Sequence, residues 1–100
     1  MNDKQGDFYQ QCYKLLKTVP AGKVTTYSEM ARALNTRAWR AVGTAMAKNR
    51  QLGVIPCHRV VRSNGDIGEY ALGPAKKADL LINEGVPVEN GRVVDLVNVM

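Results

Sequence analysis

Thr26-Tyr27-Ser28-Glu29-Met30-Ala31-Arg32-Ala33-Leu34-Asn35, followed at once by Ala38-Trp39-Arg40-Ala41-Val42-Gly43-Thr44-Ala45-Met46-Ala47-Lys48, is the stretch that decides the fold. Thr26 and Glu29 stand three apart, the spacing at which a hydroxyl and a carboxylate satisfy the free N–H groups of a helix start. Asn35, tolerant of the left-handed region, is placed to end that helix near Leu34. A second helix follows from about Ala38 to Lys48, with Ala38, Val42, Ala45 and Met46 as its buried stripe. Two short helices joined by a few residues are the outline of a helix-turn-helix. On the outer face of the second, Arg40, Thr44 and Lys48 recur every fourth residue beside the small Ala41 and Gly43. Small and basic side chains let a helix lie close to a phosphate backbone. An ordinary solvated face would carry the same scatter of charge.

Upstream, Phe8, Cys12, Leu15, Leu16 and Val19 form the apolar stripe of a helix over residues 7–19, stopped by Pro20-Ala21-Gly22. Downstream, the apolar Val54-Ile55-Pro56 and Val60-Val61 flank Cys57-His58-Arg59. Ser63-Asn64-Gly65-Asp66 reads as a turn with Asn-Gly at its centre. Pro74 and Gly85 bracket a helix at about 74–84, with Ala78, Leu81 and Ile82 on one face. Val86–Val88 and Arg92–Val94 flank Asn90-Gly91 as a terminal hairpin. These elements predict an α+β, mostly helical domain: a small winged helix-turn-helix-like unit with short strands and hairpins, single over residues 1–100.

Size and composition bound the function. One hundred residues, 45% hydrophobic and 23% charged, make one modest core and argue against disorder. No apolar run is long enough to cross a bilayer. The polar start Met1-Asn2-Asp3-Lys4 is unlike a signal peptide, so a cytoplasmic location is expected, with Cys12 and Cys57 as free thiols. Two Cys and one His fall short of a metal site, and no metal is expected. Fourteen basic against nine acidic residues give a formal charge of +5, which suits a polyanion, nucleic acid above all.

Cys57 and His58 are where chemistry concentrates. A free thiol is mostly protonated at neutral pH and needs a base or a positive neighbour to become a nucleophile. His58 is the single histidine of the chain, and Arg59 adds a cation. Sequence neighbours need not be spatial partners, and a small buried cysteine beside a satisfied histidine would look the same. Cys12 sits on the apolar stripe of the first helix and reads as core.

Ile55-Pro56-Cys57-His58-Arg59-Val60-Val61 resembles the active-site signature of the O6-alkylguanine-DNA alkyltransferases, the methylated-DNA–protein-cysteine methyltransferases. Pro20-Ala21-Gly22-Lys23-Val24-Thr25-Thr26-Tyr27 resembles that family's lead into its helix-turn-helix, and Arg37-Ala38-Trp39-Arg40-Ala41-Val42-Gly43 the start of its recognition helix. Asn49, eight residues before the cysteine, Gly68-Glu69-Tyr70, and Lys77 through Leu80-Leu81-Ile82-Asn83-Glu84-Gly85 extend the likeness from about residue 8 to residue 88.

The resemblance implies binding of double-stranded DNA through the minor groove and rotation of an O6-alkylguanine out of the stack, which costs a few kcal/mol. It implies that Arg40 fills the vacated space and that Tyr27 presses on the 3′ phosphate, with Ala41, Gly43, Thr44 and Lys48 along the same interface. Cys57 becomes the nucleophile, His58 its base through a water, and Glu84 the carboxylate that orients the imidazole. Asn49 holds the active-site turn, and Tyr70 donates to the leaving guanine. Met46, Val60, Gly68 and Ala71 belong to the substrate pocket, with the carbonyls of Cys57 and Val60 reading the exocyclic amine. The alkylated guanine is itself the donor, so no cofactor is implied. A thioether has no good leaving group, so each chain acts once, as a monomer.

The chain departs from the family pattern in three places. The N-terminal domain that many members carry ahead of this one is expected to be absent, at a cost in stability rather than chemistry. Ala71 stands where many relatives have serine, leaving its N–H as the donor to O6. Leu72-Gly73 replaces a glycine pair, and Glu69 adds a charge at the pocket lip. Alkyltransferase-like proteins are a rival reading: short chains that bind the lesion without transferring the group and flag it for excision repair, their cysteine replaced. A helix-turn-helix regulator would leave Cys57, His58 and Glu84 unexplained, and a Cys–His hydrolase would not need the helix pair.

Overall fold

The computed structural model describes residues 3–51 and 54–94, with side chains from residue 7. Met1-Asn2, at the head of the polar start, and the last six positions of the single-domain range lie outside the described residues. Helix α1 (Asp3–Leu16) begins earlier and ends sooner than its stripe suggested. A bonded turn closes it before Pro20, through Thr18 N–H to Leu15 O and Val19 N–H to Leu16 O, both 3.0 Å. Strand β1 (Thr25–Thr26) runs directly into α2 (Tyr27–Ala33). Thr26 Oγ1 accepts from Glu29 N–H at 3.1 Å, as the spacing required, while the Glu29 carboxylate turns outward to Arg32. Asn35 takes φ +62° and ends the turn, and α3 (Trp39–Ala47) follows.

The core-facing stripe of α3 is Val42, Ala45 and Met46. Ala38 is not part of it: as the cap residue ahead of α3 it is exposed. Strand β2 (Val60–Val61) pairs in parallel with β1, setting Thr25 opposite Val60 and Thr26 opposite Val61. This pairing, between segments 35 residues apart, has no signal in local sequence. Arg62 N–H bonds to Asp66 O and Gly65 N–H to Arg62 O, so Ser63-Asn64 rather than Asn64-Gly65 forms the centre of that turn. Helix α4 (Pro74–Asn83) buries Leu81 and leaves Ile82 half exposed, against expectation. Strands β3 (Val88–Glu89) and β4 (Arg92–Val93) form the terminal hairpin, with Asn90 at φ +54° and Gly91 at φ +74°. Positive φ at both central residues is the turn that matches the strand twist, hence Asn-Gly.

Two apolar clusters divide the interior. The first joins Cys12, Leu16, Val19, Met30, Ala31, Val42, Ala45, Met46, Ile55, Cys57 and Val60. The second joins Val24, Val61, Ile67, Leu81, Val86 and Val93. Adjacent residues of a strand point to opposite faces, so Val60 and Val61 enter different clusters and β2 is the partition between them.

Candidate active site

Pro56 leads into a 3₁₀ turn, Cys57–Arg59, closed by Cys57 N–H to Ile55 O at 2.8 Å and Arg59 N–H to Pro56 O at 3.0 Å. Cys57 is 5% exposed and lies in the wall of an open cleft of about 800 Å³. Tyr27, Arg40, Gly43, Met46, Tyr70 and Ala71 line the same cleft, so the turn, α2, α3 and the loop before α4 converge on the sulfur.

Asn49, buried just beyond α3, donates from Nδ2 to Ile55 O at 3.2 Å and lies 3.3 Å from Cys57 Sγ. Its Oδ1 accepts from Gln51 N–H at 2.9 Å. One amide thus fixes both the backbone entering the nucleophile turn and the thiol itself. Among the described residues it is the one side chain hydrogen-bonded to the sulfur.

His58 reaches the C-cap of α4. Its Nε2 lies 2.9 Å from Glu84 Oε2. A carboxylate at Nε2 favours the tautomer that carries its proton there, which is the arrangement that leaves Nδ1 to accept. Arg59, passed over in the sequence except as a nearby cation, clamps the same carboxylate, Nε to Oε1 at 3.0 Å and NH2 to Oε2 at 2.7 Å, and reaches Val19 O at 2.7 Å. Burial pushes the Glu84 carboxyl upward, but the hydrogen bonds from Arg59 and His58 outweigh it and hold it below the ordinary value. The carboxylate is therefore charged when the imidazole needs it.

Tyr70 meets the His58 ring edge to face, centroids 6.5 Å apart at 76°. Burial, then the neighbouring thiol, raises its phenol above the ordinary value, so it remains a proton donor at neutral pH. Tyr27, at the start of α2, is likewise raised by burial. Gly68 takes φ +75°, and a Cβ there would lie 3.7 Å from the Tyr27 hydroxyl and 3.5 Å from Arg62 Nε. It braces the cleft from behind rather than lining it. The Val60 side chain is wholly within the first core cluster, and the role expected of this residue belongs to its backbone carbonyl.

On α3, Arg40, Thr44 and Lys48 are all exposed, Thr44 Oγ1 bonding back to Arg40 O at 3.2 Å. They do not share one depression. Arg40 faces the cleft, whereas Lys48 faces a separate groove with Lys14, Lys17 and Arg50. Ala41 and Gly43 are half-buried beside this ridge, and nothing lies within 4 Å of a Cβ placed on Gly43. Trp39, at the start of α3, also lines the cleft, as do Arg62, Ser63 and Asn64, unforeseen in the sequence because the turn after β2 that carries these three is brought there only by tertiary packing. Among the described residues no cluster of His, Cys, Asp or Glu has the makings of a metal site.

Lys77 was also missed as a structural group. It is 1% exposed, and its Nζ donates to Glu69 O at 3.2 Å, bracing the loop that presents Tyr70 and Ala71. Burial lowers its pKa from 10.5 to about 8. Below pH 8 both folded and unfolded chains hold this proton, and the penalty of the buried ammonium is fully present. Between pH 8 and 10.5 the unfolded chain binds more protons, so stability rises with pH. Cys12 acts oppositely, pushed by burial from 9.0 to about 11, so that its contribution falls over that range. Comparing the chain with Lys77→Met in denaturant titrations isolates the lysine. The difference should move in favour of the lysine chain by about 3 kcal/mol between pH 7 and pH 10.5; a flat difference would mean that Nζ is hydrated.

Residues 7–86 match the family model of the 6-O-methylguanine DNA methyltransferase DNA-binding domain. The chain belongs to this family. Among methyltransferase relatives, the methylated-DNA–protein-cysteine methyltransferase of Cricetulus griseus is 45% identical over 96 residues, covering 93% of this chain and 46% of that protein. The crystal structure of O6-methylguanine-DNA methyltransferase from Pyrococcus kodakaraensis matches at a TM-score of 0.73 and 49% identity, over 79% of this chain and 46% of that one. S. pombe ATL, in a crystal structure with DNA, matches at a TM-score of 0.79 and 33% identity, over 91% of each chain. This chain thus spans less than half of the first two proteins and nearly all of the third. It is a DNA-binding domain of the DNA-repair methyltransferase family, and no helix among its described residues is long and apolar enough to cross a membrane.

Proposed function

We propose that this domain repairs DNA by direct reversal, taking an alkyl group from O6 of guanine onto Cys57. The observation that carries the reading is that Cys57 lines the cleft on a turn held by Asn49 while the next two residues, His58 and Arg59, share the Glu84 carboxylate. Guanine rotated out of the duplex enters the cleft beside Met46, Tyr70 and Ala71. Sγ attacks the alkyl carbon as the carbon–oxygen bond breaks. The thiol proton passes through water to His58, whose positive charge Glu84 stabilises, and the guanine leaving group takes a proton from Tyr70. A C–S bond replaces the C–O bond, and the thioether cannot be hydrolysed, so turnover stops at one.

Arg40 fills the gap left in the duplex, and Tyr27 contacts the phosphate beside it. Ala41, Gly43 and Thr44 let α3 lie along the groove floor, with Lys48 on a flanking phosphate. The region 1–100 acts as one unit and binds as a monomer in the cytoplasm. A second reading rests on the match to S. pombe ATL over 91% of both chains: a lesion-binding protein that does not transfer the group. The retained thiol, base and carboxylate favour transfer.

Intact and peptide masses after mixing with a duplex holding one O6-methylguanine decide between the two. One added methyl on Cys57 is the expected outcome. Tight, lesion-selective binding with no mass change would replace the transferase reading with the binder.

A further inference from the structure

Trp39 is a large aromatic left 49% exposed at the first position of α3 and belongs to neither core cluster. Its ring borders two depressions at once. On one side is the reaction cleft; on the other is a separate groove that contains Ser28, Arg32, Asn35, Thr36 and Arg37. The guanidinium carbon of Arg40 stands 4.9 Å over the indole, so one face of the ring is occupied by a cation in the free protein. A single exposed aromatic needs no explanation by itself. This one stands between two hollows, with Arg40 on its ring and Arg32 and Arg37 in the adjoining groove.

We infer that Trp39 is a stacking site for an unstacked nucleobase, an assignment that rests on the proposed lesion-flipping function. When a guanine rotates out, the base beside the gap loses a stacking neighbour and presents a bare π-face. Arg40 leaves the indole to enter the gap, and the indole face thus uncovered takes the bared base. Arg32 and Arg37, in the groove on the far side of the ring, meet the phosphates of that nucleotide. Cation and base therefore exchange places on one aromatic surface, which keeps the ring covered before and after flipping.

The sequence holds one tryptophan, so emission excited at the red edge of the indole band, beyond tyrosine absorption, reports this ring alone. The full chain is titrated with an O6-methylguanine duplex and with its undamaged twin, and Cys57 alkylation is read by mass in the same samples. The lesion duplex should quench the emission strongly and the undamaged duplex weakly. Trp39→Ala should weaken lesion-duplex binding roughly 5- to 150-fold, the range of base–aromatic stacking, with a much smaller loss on undamaged DNA. Trp39→Phe, which keeps a stacking face, should retain most of the affinity. Unquenched emission at saturating lesion duplex, or equal losses by Trp39→Ala on both duplexes, would overturn the stacking site. If methyl reaches Cys57 while emission is unchanged, the stacking assignment alone fails. If neither transfer nor lesion-selective binding occurs, the functional reading fails and takes this assignment with it.

Discussion

Cys57→Ala should abolish alkyl transfer outright while lesion binding stays within a few-fold of the unaltered chain. The sulfur is the one thiol in the cleft wall, since Cys12 is sealed in the first core cluster with its thiol raised to about 11. The hydroxyls of Ser28, Ser63, Tyr27 and Tyr70 in the same lining stay protonated at neutral pH and are far weaker nucleophiles than a thiolate. Losing the sulfur leaves the turn standing, because Asn49 Nδ2 still reaches Ile55 O and the 3₁₀ turn is closed by backbone bonds. The vacancy is about the size of one methyl group, worth about 1 kcal/mol of stability. A transfer assay beside a lesion-DNA gel shift measures both halves. Residual transfer by the alanine chain would move the nucleophile elsewhere.

Glu84→Ala should be the most damaging substitution away from the sulfur. It strips His58 of its Nε2 partner and leaves the Arg59 guanidinium with only Val19 O. The expected loss is about 2 kcal/mol, less than for a fully buried pair because both side chains keep some contact with water. That is a large share of the roughly 5–10 kcal/mol that holds a domain of this size. Transfer should fall by about 10²-fold or more, the usual worth of a positioned base. Glu84→Gln keeps the shape and separates the effects: stability partly recovers, but the rate does not, because an amide cannot stabilise the imidazolium.

The pH dependence has a fixed sign. The folded carboxyl is held below its ordinary 4.5, so the contribution of Glu84 is complete above that value and is lost as pH falls through the lower folded value. Glu84→Gln should flatten this acid limb in denaturation curves. An unchanged single-turnover rate in Glu84→Gln would remove the carboxylate from the reaction.

Much of the fold was legible because its signals are local. The Thr26–Glu29 spacing, Asn35, Pro74 and Asn90-Gly91 each act within four residues, and the structure places helix starts, ends and the hairpin where they fall. What failed was set by distant segments. Ala38 and Ile82 fit an apolar stripe by periodicity, yet Ala38 is exposed and Ile82 only half covered. The β1–β2 pairing and the buried Lys77 depend on chains meeting across many residues, which no window of sequence contains. For the site, the Cys57–Asn49 and His58–Glu84 proximities follow the spacing that the family likeness supplied. Arg59 as the second holder of Glu84 was missed, since an arginine beside a histidine carries no sign of which carboxylate it will find.

The two apolar clusters on either side of β2 carry a consequence for how such a sequence changes over generations. The helix pair α2–α3 and the thiol hang on the first cluster, whereas the carboxylate sits at the end of α4, which packs into the second. Under the proposed function, drift that loosens Ile67, Leu81 or Val93 should erode the reaction before it erodes recognition. On that reading, small losses in the half of the molecule that the helix-turn-helix does not use would turn a transferase into a lesion marker. The reverse journey is harder, because it must rebuild a packed half and an ion network together.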